Sequence, residues 1–150
     1  MKHSIGFKLF VGIVVVAVTA TLVAGLWISG SPAAERARRL DDRRIQDLQS
    51  ISNAIDNYYN QNGLKLPPTL ETLTRQREAF YVSAINDPDT MAPYEYLMDA
   101  TSTYRLCATF TTDTRGLEQN QEQYYPYNSV FWEHGPERTC FTITAKTYPK

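Results

Sequence analysis

The stretch PAAERARRLDDRRIQDLQSISNAIDNYYNQ, residues 32–61, decides the fold of this chain. Ser31 suits the N-cap position and Pro32 the first helical position, so a long helix is predicted to begin here. Apolar side chains recur along it at helical spacing and form one stripe, which predicts that one face covers a core. The core stripe consists of Ile45, Leu48, Ile51, Ile55 and Tyr58.

The first part of this helix, ERARRLDDRR at 35–44, is almost entirely charged. Because it offers little apolar surface, we expect it to stand in water, with charges pairing along the helix. A contact with lipid headgroups is the alternative. Arg43 and Asp47 are assigned to the polar face, opposite the stripe.

Upstream, residues 9–29 read LFVGIVVVAVTATLVAGLWIS and contain no charged residue. As a helix they would be about 31 Å long, against a hydrocarbon core of about 30 Å. The segment therefore predicts a membrane anchor with lipid as its partner, and an indole near one end suits the interface. The residues named for this anchor are Leu9, Phe10, Val11, Ile13 and Trp27.

Two other interpretations of this segment remain open. Lys2 and Lys8 followed by a small-residue site at 31–33 would suit a cleaved signal peptide. The apolar run exceeds the roughly 7–15 residues of a typical signal core, which favours a retained anchor. A buried helix of a soluble protein is the third interpretation. With the anchor, the chain divides into residues 1–30 and a domain at 31–150.

Downstream of the helix, strand patterns predict a small antiparallel sheet. Runs rich in Thr, Tyr, Phe and Ile occupy 94–97, 103–110 and 139–145. Phe131 and Trp132 begin a further strand or cover the core. A sheet with one apolar face must cover that face, and the stripe on the long helix is its cover. The predicted fold class is therefore α+β.

The two cysteines, Cys107 and Cys140, lie in two of these strands. A disulfide between them would close a loop of about 34 residues, which the loop-entropy model values at roughly 4 kcal/mol. Two separate thiols packed as small hydrophobes are the alternative. A disulfide favours an extracytoplasmic domain. Five arginines after the apolar segment favour the cytoplasmic side instead; they are Arg36, Arg38, Arg39, Arg43 and Arg44.

The layout resembles type IV pilins and the pseudopilins of type II secretion systems. The stretch DLQSISNAIDNYYNQNGLKLPPTLETL at 47–73 resembles their helix, Asn-Gly stop, proline and small helix. Residues 87–96 resemble the family's Asp-Pro to Pro-Tyr-x-Tyr entry into the sheet. The match covers residues 33–110. It implies a long stalk helix packed on the sheet, and a structural or accessory subunit of a secretion or pilus-type assembly, associating with itself or with other pilin-like subunits.

The N-terminus resembles a prepilin motif in degenerate form. In that family a peptidase cuts after a glycine that Phe follows, so Gly6 and Phe7 are the implied processing site. Lys8 stands in place of a small polar residue, and Val11 stands where the family carries a glutamate. These departures favour an alternative: a single-pass membrane protein that does not assemble, and whose extracytoplasmic domain binds a protein or surface partner.

No catalytic pattern is recognisable in the chain. It contains two histidines, and His134 is interpreted as a structural residue in a turn. No Cys-x-x-Cys, phosphate loop or nucleophile elbow occurs. The formal net charge of −1 provides no general attraction to nucleic acid. We therefore expect no enzyme activity, no cofactor, no metal site and no nucleic-acid partner.

Overall fold

The computed structural model describes residues 5–29, 31–75, 80–115, 131 and 133–148, without the side chains of 26–29. Within these residues three helices precede three strands, and the fold is α+β, as predicted. The elements are α1 (Ile5–Ser29), α2 (Pro32–Gln61), α3 (Leu70–Arg75), β1 (Glu95–Met98), β2 (Thr103–Phe110) and β3 (Glu137–Thr144).

The chain divides into two compact units, Met1–Arg36 and Ala37–Lys150. The first unit contains α1 and the first residues of α2. The second unit contains the remainder of α2, together with α3 and the sheet, and it holds the hydrophobic core.

Local hydrogen bonds explain where α2 begins and ends. The Ser31 hydroxyl accepts a hydrogen bond from the Ala34 amide at 3.1 Å, which caps the first turn. At the other end, Gly63 has a φ of 66°, and the Leu64 amide donates to the Tyr59 carbonyl at 2.9 Å. This left-handed arrangement ends the helix at Gln61, immediately before the Asn-Gly pair, because glycine has no Cβ to oppose it.

The sheet is antiparallel with strand order β1-β2-β3. Leu106 lies opposite Tyr96 on one side and Phe141 on the other. One residue further along β2, Cys107 lies opposite Glu95 and Cys140. Because side chains alternate along a strand, the Leu106 row faces the core and the Cys107 row faces outward.

The core lies between α2 and the inner face of the sheet. Ile45, Leu48, Ile51 and Ile55 are buried, Tyr58 is half-buried and packs against the core, and its neighbour Tyr59 is buried as well. They pack with aromatic and aliphatic side chains of the strands, of α3 and of two residues outside these elements, Phe80 and Phe131; those of the strands and α3 are Leu70, Leu73, Tyr104, Leu106, Phe110 and Phe141. The stripe predicted from the sequence therefore faces the sheet.

Two expectations about exposure are wrong, one of them in part. The charged segment 35–44 is expected to stand in water, and most of its charged residues are exposed, but Asp41 and Arg44 are only 2% and 3% exposed. Asp47, assigned to the polar face, is also buried. Phe131 lies in a turn and covers the core, with its ring 5.0 Å from that of Phe141. Trp132 lies outside the described residues.

Candidate functional site

The apolar helix α1 presents side chains to its surroundings on every side. All residues from 5 to 25 are exposed, and Phe7, Leu9, Phe10, Val11 and Ile13 expose between 43% and 66% of their surface. A helix that is apolar all round needs an apolar environment. Over Ile5–Gly25 it is long and apolar enough to span a membrane. Gly6 lies in its first turn; the side chain of Trp27 is outside the described set.

A buried ion cluster lies at the start of the domain, centred on Arg44 of α2. Its guanidinium donates to Asp87 through Nε at 2.6 Å and Nη2 at 3.2 Å, and to Asp41 through Nη1 at 2.7 Å. Burial lowers the pKa of Arg44, but the hydrogen bonds and charges of these two aspartates outweigh burial and raise it overall. Arg44 is therefore a permanent buried cation with two anionic partners.

Asp87 organises the loop that precedes β1. Its carboxylate also accepts hydrogen bonds from the backbone amides of Asp89 and Thr90, each at 2.9 Å. Burial opposes ionisation of Asp87, but Arg44 and these amides prevail and lower its pKa to about 2. The loop is thereby tied to α2.

Asp41 ties the chain that leaves β2 to the same helix. Its carboxylate accepts hydrogen bonds from the Thr111 and Thr112 amides and from the Thr112 hydroxyl, at 2.7–3.1 Å. With Arg44 included, donors surround both carboxylate oxygens. A carboxylate satisfied in this way holds the chain that leaves β2 against α2.

Asp47 has a similar structural role six residues further along α2. It accepts hydrogen bonds from the Ser83 hydroxyl at 2.6 Å and the Tyr94 hydroxyl at 3.2 Å. Burial raises the pKa of the Tyr94 hydroxyl, and the neighbouring carboxylates of Asp47 and Asp87 raise it further. Tyr94 is therefore a neutral hydrogen-bond donor.

The residues after β3 are attached to the far end of α2. The Asp56 carboxylate accepts a hydrogen bond from the Lys146 amide at 2.9 Å. The Asn60 side chain donates to the Lys146 carbonyl and accepts from the Tyr148 amide. Burial raises the pKa of Asp56 despite the Lys146 amide. Polar side chains of α2 thus hold chain segments along its whole length within the domain.

His134 is buried at 1% exposure and stacks on Phe110, with ring centroids 3.8 Å apart. Its backbone amide donates a hydrogen bond to the Thr114 hydroxyl at 3.0 Å. Its Nε2 finds no hydrogen-bond partner within the described part of the chain. Burial lowers the imidazole pKa more than the nearby carbonyl of Gly135 and the carboxylate of Asp41 raise it. A neutral imidazole packed this way is a core residue.

The outer face of the sheet carries the disulfide. Cys107 and Cys140 are bonded, as favoured from the sequence, and lie directly opposite one another in adjacent strands. Arg138 pairs with Glu95 in a bidentate contact of 2.7 and 2.8 Å, and its Nη2 also donates to Cys107 Sγ at 3.6 Å. The guanidinium therefore crosses β2 above Cys107.

A shallow hollow of about 220 Å³ lies between α3 and β1. Its lining includes Pro68, Glu71, Pro93 and Tyr96. The Tyr96 hydroxyl already donates a hydrogen bond to the Pro67 carbonyl at 3.0 Å. Small-molecule sites are usually larger, roughly 300–1,000 Å³. Within residues 5–29, 31–75, 80–115, 131 and 133–148, no three His, Cys, Asp or Glu side chains are grouped to hold a metal ion.

The sequence analysis missed the ion cluster of Asp41, Arg44 and Asp87. One signal was present: Asp41 and Arg44 are three residues apart and so share a helix face. Their burial depends on Asp87, 43 residues later, which helical spacing does not identify.

No protein-family model matches this chain, and no curated protein and no solved structure matches it either.

Proposed function

We propose that this chain is a pilin- or pseudopilin-like structural or accessory subunit, anchored in a membrane by α1, of a secretion or pilus-type assembly. The observation that carries the proposal is the order of the elements. An apolar helix of bilayer length is followed by a long helix whose apolar stripe packs on a three-stranded antiparallel sheet. The resemblance of residues 47–73 and 87–96 to pilins and pseudopilins is the reason for proposing this family.

A structural role agrees with the way the buried charges are used. Asp41, Asp47 and Asp87 each accept hydrogen bonds that fasten chain segments to α2. Such groups are poorly placed to act as acids or bases on a substrate. We accordingly propose that the domain acts through its surfaces and not through catalysis, and that its partners are lipid and other pilin-like subunits.

The processing step that the resemblance implies is tested by N-terminal sequencing of protein extracted from membranes of its native cell. A first residue of Phe7 supports the pilin route, and an intact N-terminus before Gly6 opposes it. Gly6→Arg is the matched variant, because a bulky charged residue should block cleavage after that position while leaving the domain unchanged.

Assembly is tested separately by photo-crosslinking in the native membrane. A photoreactive phenylalanine analogue at Phe10, which is 64% exposed, should yield products at multiples of the subunit mass or products with other pilin-like subunits. The same probe at Leu64, an exposed position on the domain, is the control for non-specific capture. Products with lipid alone at Phe10 would oppose assembly.

A second candidate is a single-pass membrane protein that does not assemble and binds a protein or surface partner. Val11 favours it, because the resembling family places there a glutamate that pairs with a neighbouring subunit, and valine has no charge. This candidate is favoured over the first if the N-terminus is unprocessed and the probe at Phe10 yields no crosslinked products with other subunits.

We also propose that the domain is extracytoplasmic, on the strength of its disulfide. Intact cells are treated with a membrane-impermeant maleimide, with and without an impermeant phosphine reductant. Labelling of Cys107 and Cys140 that requires the reductant but not lysis supports this location. Thiols that react without reductant, and only after lysis, would place the domain in the cytoplasm.

A further inference from the structure

The two sulfurs of the Cys107–Cys140 disulfide lie in different surroundings. Cys107 is in the central strand, 1% exposed, whereas Cys140 is in β3 and half-buried. Glu95 of β1 lies opposite Cys107, and the side chain of Arg138 reaches this glutamate by crossing over Cys107. The ion pair thus covers one sulfur of the disulfide.

The same ion pair places a cation at the covered sulfur. Arg138 Nη2 lies 3.6 Å from Cys107 Sγ, and its bidentate contact with Glu95 fixes the guanidinium plane. A neighbouring arginine stabilises a thiolate relative to the thiol. In thiol–disulfide exchange the sulfur that leaves as the more stable thiolate leaves faster. Cys107 is therefore shielded from attack and is the favoured leaving group.

From this asymmetry we propose that the disulfide is a directed thiol-exchange site, at which an external dithiol attacks Cys140 and releases Cys107. Its ligand class is a dithiol, either a small molecule or the redox pair of a protein. Arg138 contacts the sulfur that leaves and stabilises its thiolate; it does not contact the attacking thiolate in this scheme.

The reaction balances without any further reactant. A thiolate of the dithiol forms a bond with Cys140 Sγ, the Cys107–Cys140 bond breaks, and Cys107 keeps the electron pair as a thiolate. The second thiolate of the dithiol then attacks the first sulfur of the dithiol, which is bonded to Cys140 Sγ. That bond breaks, and Cys140 leaves as a thiolate. The dithiol becomes a disulfide, two electrons reach the two cysteines, and the two protons of the dithiol end on them.

The direction of attack is tested on the full chain in mild detergent. The protein is treated briefly with reduced glutathione, which forms the first mixed disulfide but lacks the second thiol. The mixture is quenched with acid, free thiols are alkylated, and peptides are mapped by mass spectrometry. Glutathione should be found on Cys140 and the alkyl group on Cys107, in at least fivefold excess over the reverse pattern.

The part played by the cation is tested by the rate of reduction with dithiothreitol. Arg138→Gln should slow reduction about threefold or more, because the leaving thiolate loses its cation, and should raise the share of adduct on Cys107. Arg138→Lys should retain most of the wild-type rate. Arg105→Gln is the matched control, since Arg105 makes an equivalent exposed bidentate pair with Asp99.

Three results would overturn the proposal. They are an adduct found mainly on Cys107, equal adducts on both cysteines in the wild-type protein, and equal reduction rates for Arg138→Gln and Arg105→Gln. The wild-type mapping does not depend on any variant folding. Circular dichroism of each variant shows whether a change in rate follows from loss of the sheet.

Discussion

Arg44 and Asp87 form a bidentate ion pair inside the domain although 43 residues of chain separate them. The pair joins α2 to the loop before β1, and Asp41 adds the chain that leaves β2. Three segments far apart in sequence therefore meet at one guanidinium. This arrangement makes Arg44 the residue whose loss should disturb the domain most among its charged side chains.

Replacing Arg44 with methionine should lower the free energy of unfolding by about 3–5 kcal/mol, because two buried carboxylates would lose their cation. Arg105→Met is the control, since its bidentate partner Asp99 is half-exposed and exposed pairs contribute about 0–1 kcal/mol. Guanidinium chloride unfolding of the full chain in mild detergent measures both. Equal losses in the two variants would show that the buried cluster is not specially important.

His134 should make stability depend on pH in the range just below neutrality. Its pKa is lowered in the folded state, chiefly by burial, so its contribution is complete above the unfolded value of about 6.5 and is lost as pH falls toward the lowered value. The loss cannot exceed about 1.4 kcal/mol per pH unit for one group. Unfolding measured between pH 7.5 and 5 checks the slope.

The comparison for this pH dependence is His134→Phe, which keeps a ring to stack on Phe110 but cannot take up a proton. The variant should show a flatter pH profile than the wild type, whatever its absolute stability. Asp56 opposes the effect, because its raised pKa favours protonation in the folded state and so adds stability as pH falls. If the stability of His134→Phe changes with pH as steeply as that of the wild type, the pH dependence comes from groups other than His134.

Loss of the disulfide should destabilise the domain by about 4 kcal/mol, as the loop-entropy model gives for cysteines 33 positions apart. Cys107→Ser combined with Cys140→Ser removes the bond, and wild-type protein kept in reductant is the matched comparison. Chemical unfolding should show that the double variant and the reduced wild type lose similar free energies of unfolding relative to the oxidised wild type. A loss below about 1 kcal/mol in both would contradict the prediction.

Much of the fold follows from local patterns in the sequence. Strand β2 has the predicted bounds, Thr103–Phe110, because its apolar and β-branched residues lie between turn residues. The helix α2 begins after Ser31 and ends before the Asn-Gly pair, where capping chemistry is local. Within the stripe, Tyr58 and Tyr59 were hard to separate, since positions three and four residues after Ile55 lie on similar faces.

The ion cluster could not be predicted in the same way. Charged residues are mostly exposed, so a run such as 35–44 is interpreted as a solvated face unless a partner is known. The partner Asp87 becomes adjacent to Arg44 only when the loop has folded against α2. The contact of Arg138 with Cys107 also depends on strand register, which sequence alone leaves open.

The apolar helix leads to the last prediction, which concerns membrane retention. Val15 lies in the middle of the segment Ile5–Gly25 and is exposed. An arginine at the centre of a spanning helix costs about 2.5–3.5 kcal/mol on the insertion scale, so Val15→Arg should reduce the fraction that remains in membranes after alkaline carbonate extraction. Val15→Leu should behave as the wild type. Intact mass measured on the same fractions shows that the N-terminal segment is present, and release of the intact wild-type chain by carbonate would contradict a membrane-spanning α1.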